Sequence, residues 1–156
     1  MTSKKDFTDE EWARVRRAPL VAGVAISLAD PGGPIEIAKE TTATLRSATL
    51  PPSQEELLAA VALDVQAMTQ HRQNPLGDFK PRGGQQVLEE LRAVNEIVTA
   101  KATPAEAEAF RAWLLTAAQA AADAGKEGGF LGFGAEQVSA GERQMLEQVR
   151  AVLGMT

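Results

Sequence analysis

Four carboxylates at matching places in the chain offer the most chemistry: Asp30 and Glu40, then Asp123 and Glu142. Hard divalent cations are held by several oxygens at once, and Asp30, Asp123 and Glu142 would supply such a set if their segments pack as partners. The plainer assignment has each Asp end a helix and bond the turn, while each Glu caps a helix or is solvated. Asp64 sits inside AVALDVQAM, one position off an apolar stripe, where a charge is costly to bury alone. An ion pair with an Arg from another helix answers that cost. His71 lies two turns further on, about 10 Å along a helix axis, too far for a base and its orienting acid. The lone His at a helix end interacts most simply with the helix dipole.

Several chemistries are missing their parts. The chain has no Cys, which removes disulfides, thiolate metal sites and cysteine nucleophiles. A diiron bundle needs Glu-x-x-His pairs on two helices, and one His does not suffice. GGFLGFG lacks the Lys-Ser/Thr of a phosphate loop and follows no strand. Ser139 has a capping duty and no neighbouring base. The expectation is a protein without catalytic activity and without a required cofactor.

Phe130, Leu131 and Phe133 lie among glycines in the loop GKEGGFLGFGAEQ. Such a cluster either inserts into a partner or folds back over the end of the core, glycine permitting the tight turns. These three residues are the partner- or ligand-contact candidates.

The loop belongs to a unit with an echo earlier in the chain. In 18–40 and again in 113–142, an Ala-rich helix ends in Ala-Asp (Ala29-Asp30; Ala122-Asp123). A Gly-bearing loop follows, then an apolar β-branched residue (Ile35 or Ile37; Val138) and a Glu (Glu40; Glu142). This outline resembles the helix–Ala-Asp-Gly-x-Ile-x-x-x-Glu–helix repeats of the tellurite-resistance TerB-like family. The resemblance covers the two units alone; prolines interrupt the first loop, and about ten further residues lengthen the second. It implies a small all-helical protein that binds divalent cations through acidic residues and works in stress-response assemblies. An EF-hand is excluded: counting from Asp123, the third and twelfth positions are Gly125 and Gly134, where oxygen ligands belong.

The elements that must position these residues are legible as six helices and no strand. Thr8–Glu11 is a capping box with Phe7 set to staple against Trp12. The helix it opens extends to about Ala29, and Pro19 within it predicts a kink or break near Ala18. Its second half, apolar nearly all round, is predicted to be central to the core. Asp30-Pro-Gly-Gly-Pro34 turns the chain into a helix to about Ala48, with Ile35, Ala38, Thr42 and Leu45 predicted inward. Ser53 is predicted to cap a third helix to about Gln70, striped by Leu57, Leu58, Val61, Val65 and Met68. The polar loop 71–84 follows, then a helix from about Gln85 to Lys101. Thr103-Pro104-Ala105-Glu106 caps the fifth helix, and Ser139-Ala140-Gly141-Glu142 the sixth, which stops at Gly154. Residues 1–6 read as a disordered polar tail, and 7–156 as one domain.

Composition agrees with this reading. Of the 156 residues 44% are hydrophobic, with five Phe, two Trp and no Tyr, which gives an aliphatic, Ala-rich core suited to close helix packing. Net charge is −5 with no basic face, against a nucleic-acid binder. The opening MTSKKDFTDEEW has no apolar stretch of the kind a signal peptide carries, and LVAGVAISLA is too short to span a bilayer. The expectation is a cytoplasmic helical interaction or stress-associated accessory protein that self-associates or binds a protein partner. The alternative is a divalent-cation-binding protein built on helix-end carboxylates.

Overall fold

The computed structural model describes residues 2–29, 34–126 and 139–155. Among these, the chain forms a three-residue 3-10 turn at Lys4–Asp6 and six α-helices: α1 (Asp9–Ala29), α2 (Pro34–Thr49), α3 (Glu56–Gln70), α4 (Gly84–Lys101), α5 (Pro104–Lys126) and α6 (Ala140–Val152). No strand occurs among the described residues, and the molecule is an all-α bundle.

The centre is α1, which touches each of the other five helices. From Ala18 to Gly23 every residue is buried, as are Ala25 and Ile26, which is the physical meaning of an apolar run without a polar face. The helix runs unbroken past Pro19, so the expected break near Ala18 is absent. Pro19 is itself buried, and packing on all sides holds the segment helical although one backbone bond is missing. Against α1 lie α5, with Phe110, Trp113 and Leu114 inaccessible, and α4, with Val87, Leu91, Val94 and Val98. Phe110 and Trp113 meet edge to face with ring centres 6.1 Å apart. The Trp113 indole donates to the Ser47 carbonyl at 2.8 Å, near the end of α2, where the Leu50 amide also donates at 3.3 Å.

Three expectations are corrected here. The first is the register of α2. Ile35 is 73% exposed, Ile37 is 42% exposed, and Ala38 and Thr42 also face out. The inward face carries Glu40, Thr44 and Ala48 instead. Apolar periodicity cannot find this face because its two key residues are polar and are satisfied inside the fold.

The second correction concerns the N-terminal tail. Thr2 is buried, its hydroxyl donates to Glu106 Oε1 at 2.6 Å, and its amide donates to Glu106 Oε2 at 3.2 Å. A short polar segment with no apolar pattern is thus docked by a carboxylate 104 positions away. The third is the cap of α3. The residue before the helix is Glu55, and the Ser53 hydroxyl is buried without a hydrogen-bond partner among the described residues. The first-turn amide of Leu57 donates to Glu106 Oε2 at 3.3 Å, so the cap comes from α5.

Elsewhere the local signals hold. Thr8 and Glu11 exchange both capping bonds, at 2.9 and 3.1 Å, and Phe7 packs on Trp12 with ring centres 5.6 Å apart. Thr103 and Glu106 form their box, and Ser139 accepts from the Glu142 amide at 3.1 Å.

Candidate functional site

A mostly apolar cavity lies between α1, α2 and the end of α3. Its volume is about 470 Å³, and it is lined by Leu20, Gly23, Val24 and Ser27 from α1, by Thr41, Thr44 and Leu45 from α2, and by Thr69 of α3. The following connection, Arg72–Leu76, closes one side. Small-molecule sites commonly fall in the range of about 300–1,000 Å³ and are mostly apolar with a few placed polar groups.

The sequence builds this wall through one close approach and three committed hydroxyls. At Gly23 a Cβ would stand 2.2–2.8 Å from three side-chain atoms of Thr44, so α1 and α2 meet closely there because α1 has no side chain at that point. Thr44 Oγ1 donates to the Glu40 carbonyl at 2.7 Å, and Ser27 Oγ donates to Glu40 Oε2 at 2.5 Å. Thr69 Oγ1 donates to the Val65 carbonyl at 2.9 Å. Each of these hydroxyl protons is therefore directed into the protein, and the cavity receives mainly methyl and methylene groups. Glu40, itself buried, joins the two walls from behind.

The mouth is polar. The chain leaves α3 by donating from Gln73 N to the Met68 carbonyl at 2.8 Å and from Arg72 N to the Thr69 carbonyl at 3.0 Å. This is the six-to-one and five-to-two pattern that closes many helices, and its central residue takes the left-handed conformation. Here that residue is Arg72, with φ +56°. Asn74 then turns the chain by accepting from the Leu76 amide at 3.0 Å. Further along, Phe79 lies under the Arg17 guanidinium, 5.0 Å from its ring centre. Arg17 and Arg14 both bind the buried Glu90, at 2.7 and 2.6 Å. The polar connection 71–84 is therefore tied to α1 through Phe79 and Arg17, and its Leu76 and Phe79 pack against the core.

The sequence-level candidates are placed as follows. Glu40 is buried at the α2–α5 contact, where a Cβ on Gly125 would stand 2.8 Å from its Oε1. Asp123 lies two residues earlier on α5, about 200° round the helix. It faces outward and accepts from Gln119 at 3.0 Å, so it does not join Glu40. Glu142 follows Gly141, where a Cβ would meet the Ala29 carbonyl at 3.1 Å, and Glu142 Oε2 is buried with no partner among the described residues. Asp30, Phe130, Leu131 and Phe133 lie outside the described residues. Among those described, no three potential ligands gather as a metal would need. Asp64 has the structural role expected of it, accepting from the Trp12 indole at 2.7 Å and pairing with Lys4 at 3.4 Å and Arg16 at 4.0 Å. His71 is exposed at the end of α3, its amide bonded to the Ala67 carbonyl.

Sequence reasoning missed Gly23, Thr44 and Arg72. The cavity arises from where two helices cross, which no local pattern encodes. One signal was available: the run MTQHRQNP ends a helix with no glycine at the position that favours one. No family profile, curated protein or solved structure matches the chain. No helix among the described residues is long and apolar enough to cross a membrane.

Proposed function

We propose that this chain is an accessory binding module, non-enzymatic, that holds a small and largely apolar ligand between α1, α2 and the end of α3. The observation that carries the reading is the cavity of about 470 Å³, three of whose four lining hydroxyls, those of Ser27, Thr44 and Thr69, donate into the protein. Such a wall offers an aliphatic chain dispersion and release from water, and it offers a polar substrate little to bind. A protein contact belongs to the same reading: Ile35 and Ile37 are exposed on α2, and self-association through that face is checked by native mass of wild type and Ile35→Ser.

The test is thermal melting with octan-1-ol. A ligand that binds only the folded chain raises its melting temperature by mass action. Wild type should be stabilised by octan-1-ol, while Val24→Phe, which fills the cavity with a ring, should melt independently of it. A wild type indifferent to octan-1-ol removes the proposal.

The divalent-cation reading has one supporting observation. The Oε2 of Glu142, buried and without a hydrogen-bond partner among the described residues, stands on the first turn of α6, and that turn packs beside Ala29, the residue before Asp30. Melting with millimolar Ca²⁺, Mg²⁺ or Zn²⁺ tests it, and no shift with any of the three sinks it.

A further inference from the structure

Two helices of this protein end in the same hydrogen-bonded motif with different residues at its left-handed position. In α6, Met155 N donates to the Arg150 carbonyl and Gly154 N to the Ala151 carbonyl, both at 3.0 Å. Gly154 has φ +70°. That is the usual solution, because glycine has no Cβ to crowd the preceding carbonyl. In α3 the equivalent position is Arg72 at φ +56°, and it is the one non-glycine residue with positive φ among those described. An L-residue with a long side chain is strained there, and strain of this kind persists at sites where the side chain has a use.

Arg72 is one of the residues that line the cavity. No hydrogen bond or ion pair engages the Arg72 guanidinium among the described residues, whereas Arg14 and Arg17 both hold Glu90. The connection 71–84 is also the place where an acidic chain turns basic: Arg72, Lys80 and Arg82 stand against Asp78 alone. A cation at the rim of an aliphatic cavity selects an anion with an aliphatic tail. The planar guanidinium fork matches a carboxylate through two parallel hydrogen bonds, and one positive charge balances one carboxylate but not a phosphate dianion.

Resting on the cavity reading above, we propose that the ligand is a carboxylate-ended aliphatic chain, its tail between α1 and α2 and its head on Arg72. The experiment is calorimetric titration of octanoate, octan-1-ol and octyl phosphate into wild type and Arg72→Gly, with melting of both proteins alone. Wild type should bind octanoate more tightly than octan-1-ol and than octyl phosphate. Lengthening the acid by one methylene should tighten Kd roughly three- to fourfold while the tail remains inside. Arg72→Gly should weaken octanoate about five- to tenfold, leave octan-1-ol unchanged, and melt about 1–3 °C higher because the strain is gone.

The outcomes separate. If neither octan-1-ol nor octanoate binds wild type, the cavity reading itself fails. If both bind equally and Arg72→Gly changes neither, the cavity stands and the carboxylate assignment is overturned. Tighter binding of octyl phosphate also overturns the carboxylate. A lower melting temperature for Arg72→Gly refutes the argument from strain.

Discussion

Glu106→Gln is the substitution that tests most of the fold at one atom. The Glu106 carboxylate is 3% exposed and accepts five hydrogen bonds: from Thr2 N and Oγ1, from Leu57 N, and from Thr103 N and Oγ1. Burial alone would raise its pKa, but the bonds from Thr2 and Thr103 outweigh burial and hold it below the ordinary carboxylate value. The amide of Gln keeps the shape and removes the charge. It also turns an NH₂ toward the Thr2 and Leu57 amides, or toward the Thr103 amide and two hydroxyls, so at least one buried donor faces a donor. Leaving a buried polar group unsatisfied costs about 1–3 kcal/mol, and the weakened charge-assisted bonds add to it. A total of about 3 kcal/mol is expected. For a chain of this size that is a fall of roughly 6–12 °C in melting temperature at pH 7.

The pH dependence carries a definite sign. A native pKa below the unfolded one means the ionised carboxylate stabilises the fold fully above the unfolded value of about 4.3. That contribution is lost as pH falls through the lower native value. The gap between wild type and Glu106→Gln should therefore be constant from neutral pH to about 5 and close at more acid pH. Melting followed by circular dichroism at a series of pH values measures it. A gap under about 1 °C at pH 7, or one that persists unchanged in acid, refutes the tethering role of Glu106.

Other substitutions test the remaining contacts. Gly23→Ala drives a Cβ into Thr44 and should destabilise by about 1–2 kcal/mol net of the helix propensity gained, measured by urea unfolding. A neutral or stabilising result would mean α1 and α2 are not held that closely. Glu90→Ala leaves the Arg14 and Arg17 guanidinium groups without their buried partner, and a loss of about 2 kcal/mol is expected, discounted for the partial exposure of Arg14. Trp12→Phe removes the 2.7 Å bond to Asp64 and should cost about 1 kcal/mol, whereas Asp64→Asn should cost less. Phe130→Ser with Phe133→Ser should leave melting nearly unchanged while altering native mass. A drop of several degrees would instead make those rings part of the core.

What the sequence made legible was local. Thr8–Glu11 and Thr103–Glu106 announced their helices because a capping box lies within four residues, and the apolar run after Pro19 announced its burial because nothing polar interrupts it. The register of α2 was hidden. Its buried Glu40 and Thr44 are polar residues made tolerable by Ser27 and by the bare backbone of Gly23, and both lie on another helix. The docking of Thr2 on Glu106 and the capping of α3 by that same carboxylate depend on partners 104 and 49 positions distant. The cavity was hidden for the same reason. A cavity is defined by helix crossing and by Gly23, neither of which has a periodicity, and Arg72 is notable only once its backbone angle is known.

The space between α1, α2 and the end of α3 is proposed to receive an apolar ligand. Titration calorimetry of octan-1-ol into wild type and Val24→Phe at several temperatures tests it most directly. Saturable one-to-one binding to wild type with a negative heat-capacity change, lost in Val24→Phe, is the predicted result, since apolar burial leaves that mark. No binding to wild type, or equal binding to both proteins, contradicts the claim.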